Sequence, residues 1–455
     1  MKKKTTALLL AAAMVAAMLT GCGKKEEPAP EIGGSTSIPA SAVELNVTTT
    51  FAGNDGNAQN YKDAIAAFEA ETGIKVNDSS ATSDETFKAR VETDFQAGSE
   101  PDVLFFFTGA DANSFIAEGK VKSIEEIRAE YPEYAGNMMD SKLPASLVDG
   151  KQYAVPVNGF WEGMFVNTKI LQAAGVEVPG VDYTWEQFMA DCQTIKDAGF
   201  TPIAAALGNV PHYWWEFSIF NHNDPADHLT VPAAIDEGNG ANWVSGMKDI
   251  KELYEKGFFP ENTLSATDGE TFELFMADKA AFLIDGSWKV GGIVGACQSD
   301  PEDPSTLDAE KLDNYTVTYV PGKGGIRKTT DLIGGLSMGY YVTTKAWENE
   351  AVCDAAVKFV EYMTSDEIIP VFAQHTATAL KTAPTVDPAK FNSLQVKAID
   401  MMANVTSLTG AVQDVFNGEC RVSTFENGMP LIVTGQVTAE EAVAEGLAAY
   451  AEMNG

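Results

Sequence analysis

The most distinctive chemistry in this sequence lies in one short segment. Residues 211–216 read Pro-His-Tyr-Trp-Trp-Glu, so three aromatic rings and an imidazole follow an apolar run. A ring face sheds water against the C–H face of a flat ligand, while hydroxyl, imidazole and carboxylate groups form hydrogen bonds with it. Because carbohydrates present both kinds of surface, the segment favours a sugar ligand. The alternative is a helix that buries Trp214 or Trp215, which we expect for at least one of them.

Two further segments combine aromatic and acidic residues. Phe160 and Trp161 precede Glu162, whose carboxylate could accept hydrogen bonds from hydroxyl groups. Asp285 lies three residues before Trp288, and the glycine between them would let a ligand approach the backbone closely. Asp285 is either a ligand acceptor or an ordinary turn residue.

The amino terminus has the order of an export signal, which we assign to residues 1–21. Three lysines precede an apolar run over residues 7–19 that is too short to span a bilayer. The run ends in Leu-Thr-Gly-Cys, which resembles the bacterial lipobox, so we expect a lipid on Cys22 that anchors the protein at the outer face of the cell membrane. A plain secretory signal is the alternative. Residues 22–44 contain little to bury and indicate a flexible tether.

Charge and cysteine content exclude several classes of protein. The formal net charge is −34, from 31 basic and 65 acidic residues, so a nucleic-acid partner is not expected. Neither a Cys-x-x-Cys pair nor clustered histidines are present, so we expect no metal site and no cofactor. Four cysteines lie beyond Cys22 and could form up to two disulfides or remain buried thiols: Cys192, Cys297, Cys353 and Cys420.

The elements that must position these residues follow an α/β pattern. A strand at 45–51, a helix ending at Gly73 and a strand at 74–76 form a βαβ unit, and Asp102–Phe107 is a continuous apolar strand. Further strands are predicted at Tyr153–Val157, Gly163–Val166, Ile203–Ala206, Ala280–Ile284, Val317–Val320 and Leu336–Val342. The length of 455 residues favours two lobes.

Other aromatic residues are assigned to the scaffold. Thr184 and Gln187 have the spacing of a capping box, so Trp185 between them is expected to pack at the start of a helix. Trp243 and Trp347 lie on helix-like segments and are expected in the core. No phosphate-binding loop, dinucleotide fingerprint or nucleophile motif is present in the required context, and residues 322–325 indicate a turn between strands.

The succession of motifs resembles the family 1 extracellular solute-binding proteins, the group that contains maltose- and maltodextrin-binding proteins. The motifs, in order, are Phe68-Glu-Ala-Glu-Thr-Gly-Ile-Lys-Val76, Ala97-Gly-Ser-Glu-Pro-Asp-Val103, Asp149-Gly-Lys-Gln-Tyr-Ala-Val-Pro156, Met164-Phe-Val-Asn-Thr-Lys169, Met276 to Trp288, Gly334-Gly-Leu-Ser-Met-Gly339, and Gly435 with Glu440-Glu441-Ala442. The resemblance covers nearly all of the chain after the tether.

This resemblance implies a two-lobed periplasmic-binding-protein-like fold of type II with a ligand cleft between discontinuous lobes. The expected N-terminal lobe comprises residues 45–158 and 337–387, and the C-terminal lobe residues 162–333 and 390–455. The chain would cross between lobes near 158–161, 334–336 and 383–388. A monomer would bind an oligosaccharide, close about a hinge and deliver the sugar to the permease subunits of an ABC importer.

The resemblance also implies roles for individual residues. Trp288 matches a stacking tryptophan, and residues 212–214 match a segment that supplies a stacking ring. Asp55 matches an acid that binds sugar hydroxyls, with an ordinary turn residue as the alternative. Gly56 replaces the lysine that maltose-binding proteins carry beside that acid. Arg421 is a late candidate whose alternative is a surface arginine. The complete set of expected ligand-binding residues is Asp55, Phe106, Phe107, Phe160, Trp161, Glu162, His212, Tyr213, Trp214, Asp285, Trp288 and Arg421.

Two other functions remain open at this stage. A binding protein for a polyamine, an amino acid or a metal ion would share the fold. A secreted glycan-active enzyme would need two carboxyl groups about 5–10 Å apart across one bond, a geometry that sequence alone does not exclude. The aromatic density and the absence of a catalytic motif favour sugar binding without catalysis.

Overall fold

The computed structural model describes residues 43–53, 55–209, 212–300, 303–382, 391–416 and 418–454. The predicted signal, Cys22, nearly all of the tether and the third predicted crossing at 383–388 lie outside these residues. Within them, no helix is long and apolar enough to cross a bilayer.

Ten strands are present in the described chain: β1 (Glu44–Thr48), β2 (Lys75–Asp78), β3 (Val103–Phe107), β4 (Phe160–Asn167), β5 (Thr201–Ile203), β6 (Ala280–Gly286), β7 (Tyr315–Thr318), β8 (Asp331–Gly335), β9 (Met338–Val342) and β10 (Ser407–Thr409). They form two sheets. The first has the order β2-β1-β3-β9, in which β1 is parallel to β2 and β3, and β9 is antiparallel to β3. The second has the order β10-β8-β4-β6-β5, with β7 also paired to β4.

The α-helices of the described residues are α1 (Ala58–Thr72), α2 (Glu85–Ala97), α3 (Asn113–Ala117), α4 (Ile124–Glu130), α5 (Thr168–Ala174), α6 (Trp185–Asp197), α7 (His212–Phe220), α8 (Gly240–Glu255), α9 (Asp268–Met276), α10 (Lys289–Ala296), α11 (Ala309–Leu312), α12 (Glu350–Met363), α13 (Ile369–Ala373), α14 (Ser393–Met402), α15 (Gly418–Arg421), α16 (Gly428–Val433) and α17 (Ala439–Asn454). Several begin where the sequence predicts. The capping box of Thr184 and Gln187 starts α6, and Trp185 is buried beside it.

Each sheet has its own hydrophobic core. Alternate residues of β3 enter different clusters: Phe105 packs with α1 and α12, whereas Phe106 packs with α2 and α3 on the opposite face. The second sheet packs against α6, α7, α8 and the carboxyl-terminal helices in one large cluster. Trp243 lies in this cluster, and Trp347 is partly buried against the first sheet's core. The fold is therefore α/β and two-lobed, of the periplasmic-binding-protein-like type II. The residue bounds of the lobes stay a prediction.

Some predicted strands are wrong or incomplete. Residues 153–157 form only an isolated bridge between Val155 and Tyr340, because the segment runs beside the end of the first sheet rather than within it. The strand predicted at 336–342 starts at Met338. β8, which precedes it, was not predicted from the sequence. Its glycines, Gly334 and Gly335, pair with Trp161 and Phe160, so two of the predicted crossings lie side by side.

The four cysteines of the described chain are buried thiols rather than disulfides: Cys192, Cys297, Cys353 and Cys420. The sulfur of Cys420 lies 3.7 Å from Met453 Sδ. Of the two alternatives that the sequence leaves open, the structure therefore contains buried thiols.

Candidate functional site

The edges of the two sheets bring several candidate residues together. β1 and β3 are parallel, so their carboxyl ends lie at the same edge of the first sheet. Asp55 follows β1 and Phe107 ends β3, so both residues lie at this edge. In the second sheet β4 and β6 are antiparallel, so the start of β4 meets the end of β6, and Glu162 pairs with Gly286. This places Phe160, Glu162 and the segment 285–288 at one edge.

Glu162 is the most unusual side chain at this edge. It is 0% exposed, and neither carboxyl oxygen has a hydrogen-bond partner among the groups that the structure describes. Burial raises the pKa of Glu162 well above its usual value, and the nearby carboxyls of Glu216, Asp285 and Asp414 raise it further. A buried carboxyl group without a partner costs free energy, so this position is suited to binding a ligand.

Glu216 and Asp414 join Glu162, although the sequence analysis did not select either. Glu216 on α7 is fully buried and accepts hydrogen bonds from the backbone N–H groups of Val412 at 2.9 Å and Gln413 at 2.8 Å. Its Oε2 lies 3.6 Å from His228 Nε2. Asp414 follows directly, and burial together with Glu216 raises the pKa of Asp414 to about 7. Only the packing of α7 against residues 412–414 reveals this relationship.

Asp285 lies inside β6, so the turn interpretation is wrong. Its Oδ1 accepts a hydrogen bond from the N–H of Gly286, and its Oδ2 lies 3.3 Å from Lys289 Nζ. Burial raises the pKa of Asp285 to about 7, although Lys289 acts in the opposite direction. Lys289 also pairs with Asp268 at 2.8 Å. We call Glu162, Glu216, Asp285 and Asp414 the acidic cluster.

Trp288 is half-buried beside Phe160, with the two ring centroids 6.4 Å apart and the planes inclined by 32°. The indole lies over Gly286, where an added Cβ would overlap the ring. The glycine thus makes room for Trp288 itself, which corrects the expectation that it admits a ligand to the backbone. Phe160 and Trp288 form an aromatic pair next to the acidic cluster.

Trp161 points away from this pair, because neighbouring residues of a strand face opposite sides. It is 0% exposed, its centroid lies 6.0 Å from that of Phe165, and its Nε1 donates a hydrogen bond to the His375 carbonyl at 3.1 Å. The His375 ring is tilted against the indole by 56° with the centroids 5.7 Å apart, and burial lowers the pKa of His375 to about 4. Trp161 therefore belongs to the core in this structure rather than to an open ligand surface.

The loop after β1 meets the second lobe. Asp55 is half-buried, its Oδ1 accepts a hydrogen bond from the N–H of Asn57 at 2.7 Å, and desolvation raises the pKa of Asp55 to about 6. An added Cβ on Gly56 would lie 3.2 Å from the Trp288 carbonyl oxygen. The residue that replaces the lysine of maltose-binding proteins thus permits a close contact between the loop and the start of α10.

Phe106 and Phe107, both expected to bind the ligand, differ in burial. Phe106 is buried between Phe87 and Phe115, with centroid distances of 5.9 Å to each. Phe107 is half-buried at the end of β3, and Lys88 Nζ lies 4.3 Å from its ring centroid. Of the two, only Phe107 lies at the edge of the site.

The aromatic segment at 211–216 supplies core residues. Trp214 is buried with its ring 6.2 Å from that of Phe188, and Trp215 is fully buried and stacked on Phe425 at 4.3 Å. The burial alternative therefore holds for both tryptophans, and the expectation that Trp214 stacks on a ligand is not supported. The side chains of His212 and Tyr213 lie outside the described part of the chain, so their predicted role stays a prediction.

Arg421 is 1% exposed, so the surface interpretation is wrong. Its Nη2 lies 2.7 Å from Glu85, its Nη1 3.8 Å from Asp111 and its Nε 3.4 Å from Glu426. Lys88 pairs with Asp111 at 2.8 Å. Glu85 is exposed at the start of α2 of the first lobe, so the ion network around the buried Arg421 links this helix to the carboxyl-terminal helices. The residues that the structure describes contain no group of three or more potential ligands that could hold a metal ion.

Comparisons with known proteins identify several that are similar to this chain. A protein of Brucella abortus (strain 2308) described as a binding protein is 26% identical over 235 residues, which are 49% of this chain and 53% of the relative. The chain thus spans about half the length of the curated relatives it matches. A chitin oligosaccharide binding protein has a TM-score of 0.74 at 22% identity, covering 91% of this chain and 99% of that chain. The maltose/maltodextrin-binding domain from Bdellovibrio bacteriovorus, bound to maltotriose, has a TM-score of 0.68 at 18% identity, covering 90% and 99%.

These solved structures share the fold of this chain. The family model described as bacterial extracellular solute-binding protein matches residues 53–369, which include β2 to β9 and the segment from Phe160 to Trp288. Because this match covers well over half of the sequence, the chain belongs to the bacterial extracellular solute-binding protein family.

Proposed function

We propose that this protein binds an oligosaccharide between its two lobes and delivers it to the permease subunits of an ABC importer, without chemical change to the sugar. The observation that carries this proposal is the contact of Phe160 with Trp288 directly beside the buried, unpaired carboxyl of Glu162. The aromatic pair offers an apolar face to a sugar ring, and the carboxyl offers hydrogen-bond acceptors.

The contacts between lobes support a closing motion on ligand binding. Gly56 meets the start of α10, and Gly109 is packed so closely against Asp414 that an added Cβ would overlap the Asp414 carbonyl. Arg421 joins Glu85 across the same boundary. A ligand held by groups from both lobes would favour this closed arrangement over an open one.

A thermal-shift screen tests the proposal. The full-length protein, purified from membranes in mild detergent, is melted with neutral mono- and oligosaccharides, and with amino acids, polyamines and metal ions as controls. At a hundredfold excess over the dissociation constant, binding adds about 2.7 kcal/mol to the free energy of unfolding, which raises the melting temperature by a few degrees. Shifts with controls only would overturn the sugar assignment. Chromatography of the incubated sugar should show it unchanged, and breakdown products would favour an enzyme.

We also propose that the protein is a monomer held at the outer face of the cell membrane by a lipid on Cys22. The order of charged, apolar and small residues before Cys22 supports this proposal. Cys22→Ala should release the protein from the membrane fraction into the medium or leave it with an uncut signal. Unchanged membrane retention of a processed Cys22→Ala protein would contradict it.

A further inference from the structure

We propose that the sugar bound in this cleft carries a positively charged amino group, which is held against Glu162. This inference rests on the proposed sugar-binding function and narrows its ligand class to amino sugars. It starts from Glu162, a fully buried glutamate with two unpaired carboxyl oxygens in the described structure.

The surroundings of Glu162 are acidic on several sides. Asp285 lies on the neighbouring strand β6, one residue before the Gly286 that pairs with Glu162. Burial of Glu162 and the carboxyl groups of Glu216, Asp285 and Asp414 together raise its pKa. Glu216 is already bound by two backbone N–H groups and faces His228. Glu162 has no such partner among the described groups.

Within the described residues, the cations near the acidic cluster pair with carboxylates other than that of Glu162. Lys289 lies between Asp285 and Asp268, at 3.3 Å and 2.8 Å. Lys88 pairs with Asp111 at 2.8 Å, and Arg421 contacts Glu85 and Glu426 as well as Asp111. None of these ion pairs includes Glu162, and neither of its carboxyl oxygens has a hydrogen-bond partner among the described groups. Asp414, in contrast, is partly compensated by Lys88 and Arg421.

An ammonium group suits this environment better than a hydroxyl group. A sugar hydroxyl can donate a hydrogen bond to Glu162, but it leaves the repulsion among the carboxylates unchanged. An ammonium donates up to three hydrogen bonds and also cancels charge, which counts for more in a site shielded from water. A cation bound among the buried carboxylates offsets the free-energy cost of their mutual repulsion.

The neighbouring rings favour an amino sugar over a flexible polyamine. Phe160 and Trp288 lie at the same edge as Glu162, since Phe160 and Glu162 project from the same face of β4 and Glu162 pairs with Gly286 beneath the Trp288 indole. A pyranose ring that packs on this aromatic pair would place a ring substituent toward the carboxyl group.

Matched ligands test the inference. Titration calorimetry on the full-length protein compares β-1,4-linked glucose trisaccharides that carry an amine, an acetamide or a hydroxyl at carbon 2. The corresponding gluco- and galacto-configured monosaccharides and spermidine complete the set. Near neutral pH we expect the amine form to bind at least about tenfold more tightly than the hydroxyl form. The preference should weaken when the pH is lowered, because the carboxyl groups of the acidic cluster then take up protons. The preference should fall when the pH is raised enough to deprotonate the amine.

Glu162→Gln should abolish this preference, because the amide keeps the shape of the side chain and removes its charge. Glu100→Gln is the matched control: Glu100 is also buried with an unpaired oxygen, but it precedes β3 at the opposite end of the first sheet. The control should retain the amine preference. Should Glu162→Gln fail to fold, the pH dependence and ionic-strength dependence of amine binding to the native protein still test the proposal.

The possible outcomes separate the two proposals. Equal affinity for the three forms, or binding of neutral sugars only, would overturn the amino-sugar inference and leave the sugar-binding function standing. Binding of spermidine without any sugar would overturn both, as would no binding of any sugar in this set and in the wider thermal-shift screen. An amine preference that survives Glu162→Gln would show that another group recognises the cation, and would overturn the role of Glu162.

Discussion

Gly56 and Gly291 are in direct backbone contact, and a Cβ added to Gly291 would overlap the Gly56 α-carbon. Gly56 lies in the loop after β1 of the first lobe, and Gly291 lies on α10, which follows β6 of the second. A side chain at either position would hold the two segments apart. The contact therefore depends on two glycines that are far apart in the sequence.

Gly291→Ala should weaken ligand binding at least about tenfold, because the added methyl group obstructs the closed arrangement that the ligand stabilises. The melting temperature without ligand should change little. Calorimetric titration with the sugar identified in the screen measures the affinity. Gly295→Ala on the same helix is the control, since its Cβ would meet only Gln298 Oε1 at 4.0 Å. Native affinity in Gly291→Ala would show that the contact does not matter for binding.

Trp288→Ala and Trp161→Ala should have different effects. Trp288 is half-buried beside Phe160, so its removal should lower sugar affinity by about tenfold or more with a smaller loss of stability. Trp161 is fully buried, so its removal should reduce the free energy of unfolding by about 3–5 kcal/mol. Urea denaturation and titration of both variants check this. A Trp161→Ala protein that is stable but no longer binds the sugar would show that Trp161 contacts the ligand.

Arg421→Ala should reduce the free energy of unfolding by about 3 kcal/mol, because it leaves buried carboxylates without their partner. Asp111 would be the most affected, since Arg421 and Lys88 together hold the pKa of Asp111 below its usual value. Chemical denaturation measures the loss. Lys248→Ala removes an exposed ion pair with Glu440 and should cost less than about 1 kcal/mol. Similar losses in the two variants would mean that the buried network contributes no more than a surface pair.

Asp414 should make the unliganded protein less stable as the pH rises from about 4 to about 7. Its pKa is raised to about 7 in the folded protein, chiefly by burial, from the ordinary value of 3.8. The folded state therefore binds the proton more tightly, and this stabilisation is present below pH 4 and lost as the pH passes the folded pKa. Melting temperatures across this range should fall less steeply for Asp414→Asn than for the native protein. The exposed control Asp400→Asn should follow the native slope.

Local patterns predicted the scaffold where one short segment contains all the information. The capping box at Thr184 and Gln187, the glycine after α1 and the apolar run of β3 each depend on neighbouring residues only. The strand at 153–157 was predicted wrongly because only Val155 pairs with the first sheet, through an isolated bridge to Tyr340, while the other apolar residues only pack against it. β8 and β10 were missed because they are short and carry glycine or polar residues.

The family and the two-lobed α/β fold were determined by the sequence itself, because the order of its motifs is preserved along the chain. Trp161, Trp214 and Arg421 show what sequence could not decide, since residue type does not state which face of an element is covered. Only the tertiary structure brought Glu162 near Glu216 and Asp414, which are more than fifty positions away in the sequence. It also showed that Glu216 accepts backbone hydrogen bonds, whereas Glu162 has no hydrogen-bond partner among the described groups. Burial and charge are properties of surroundings, and those surroundings exist only once distant segments have packed together.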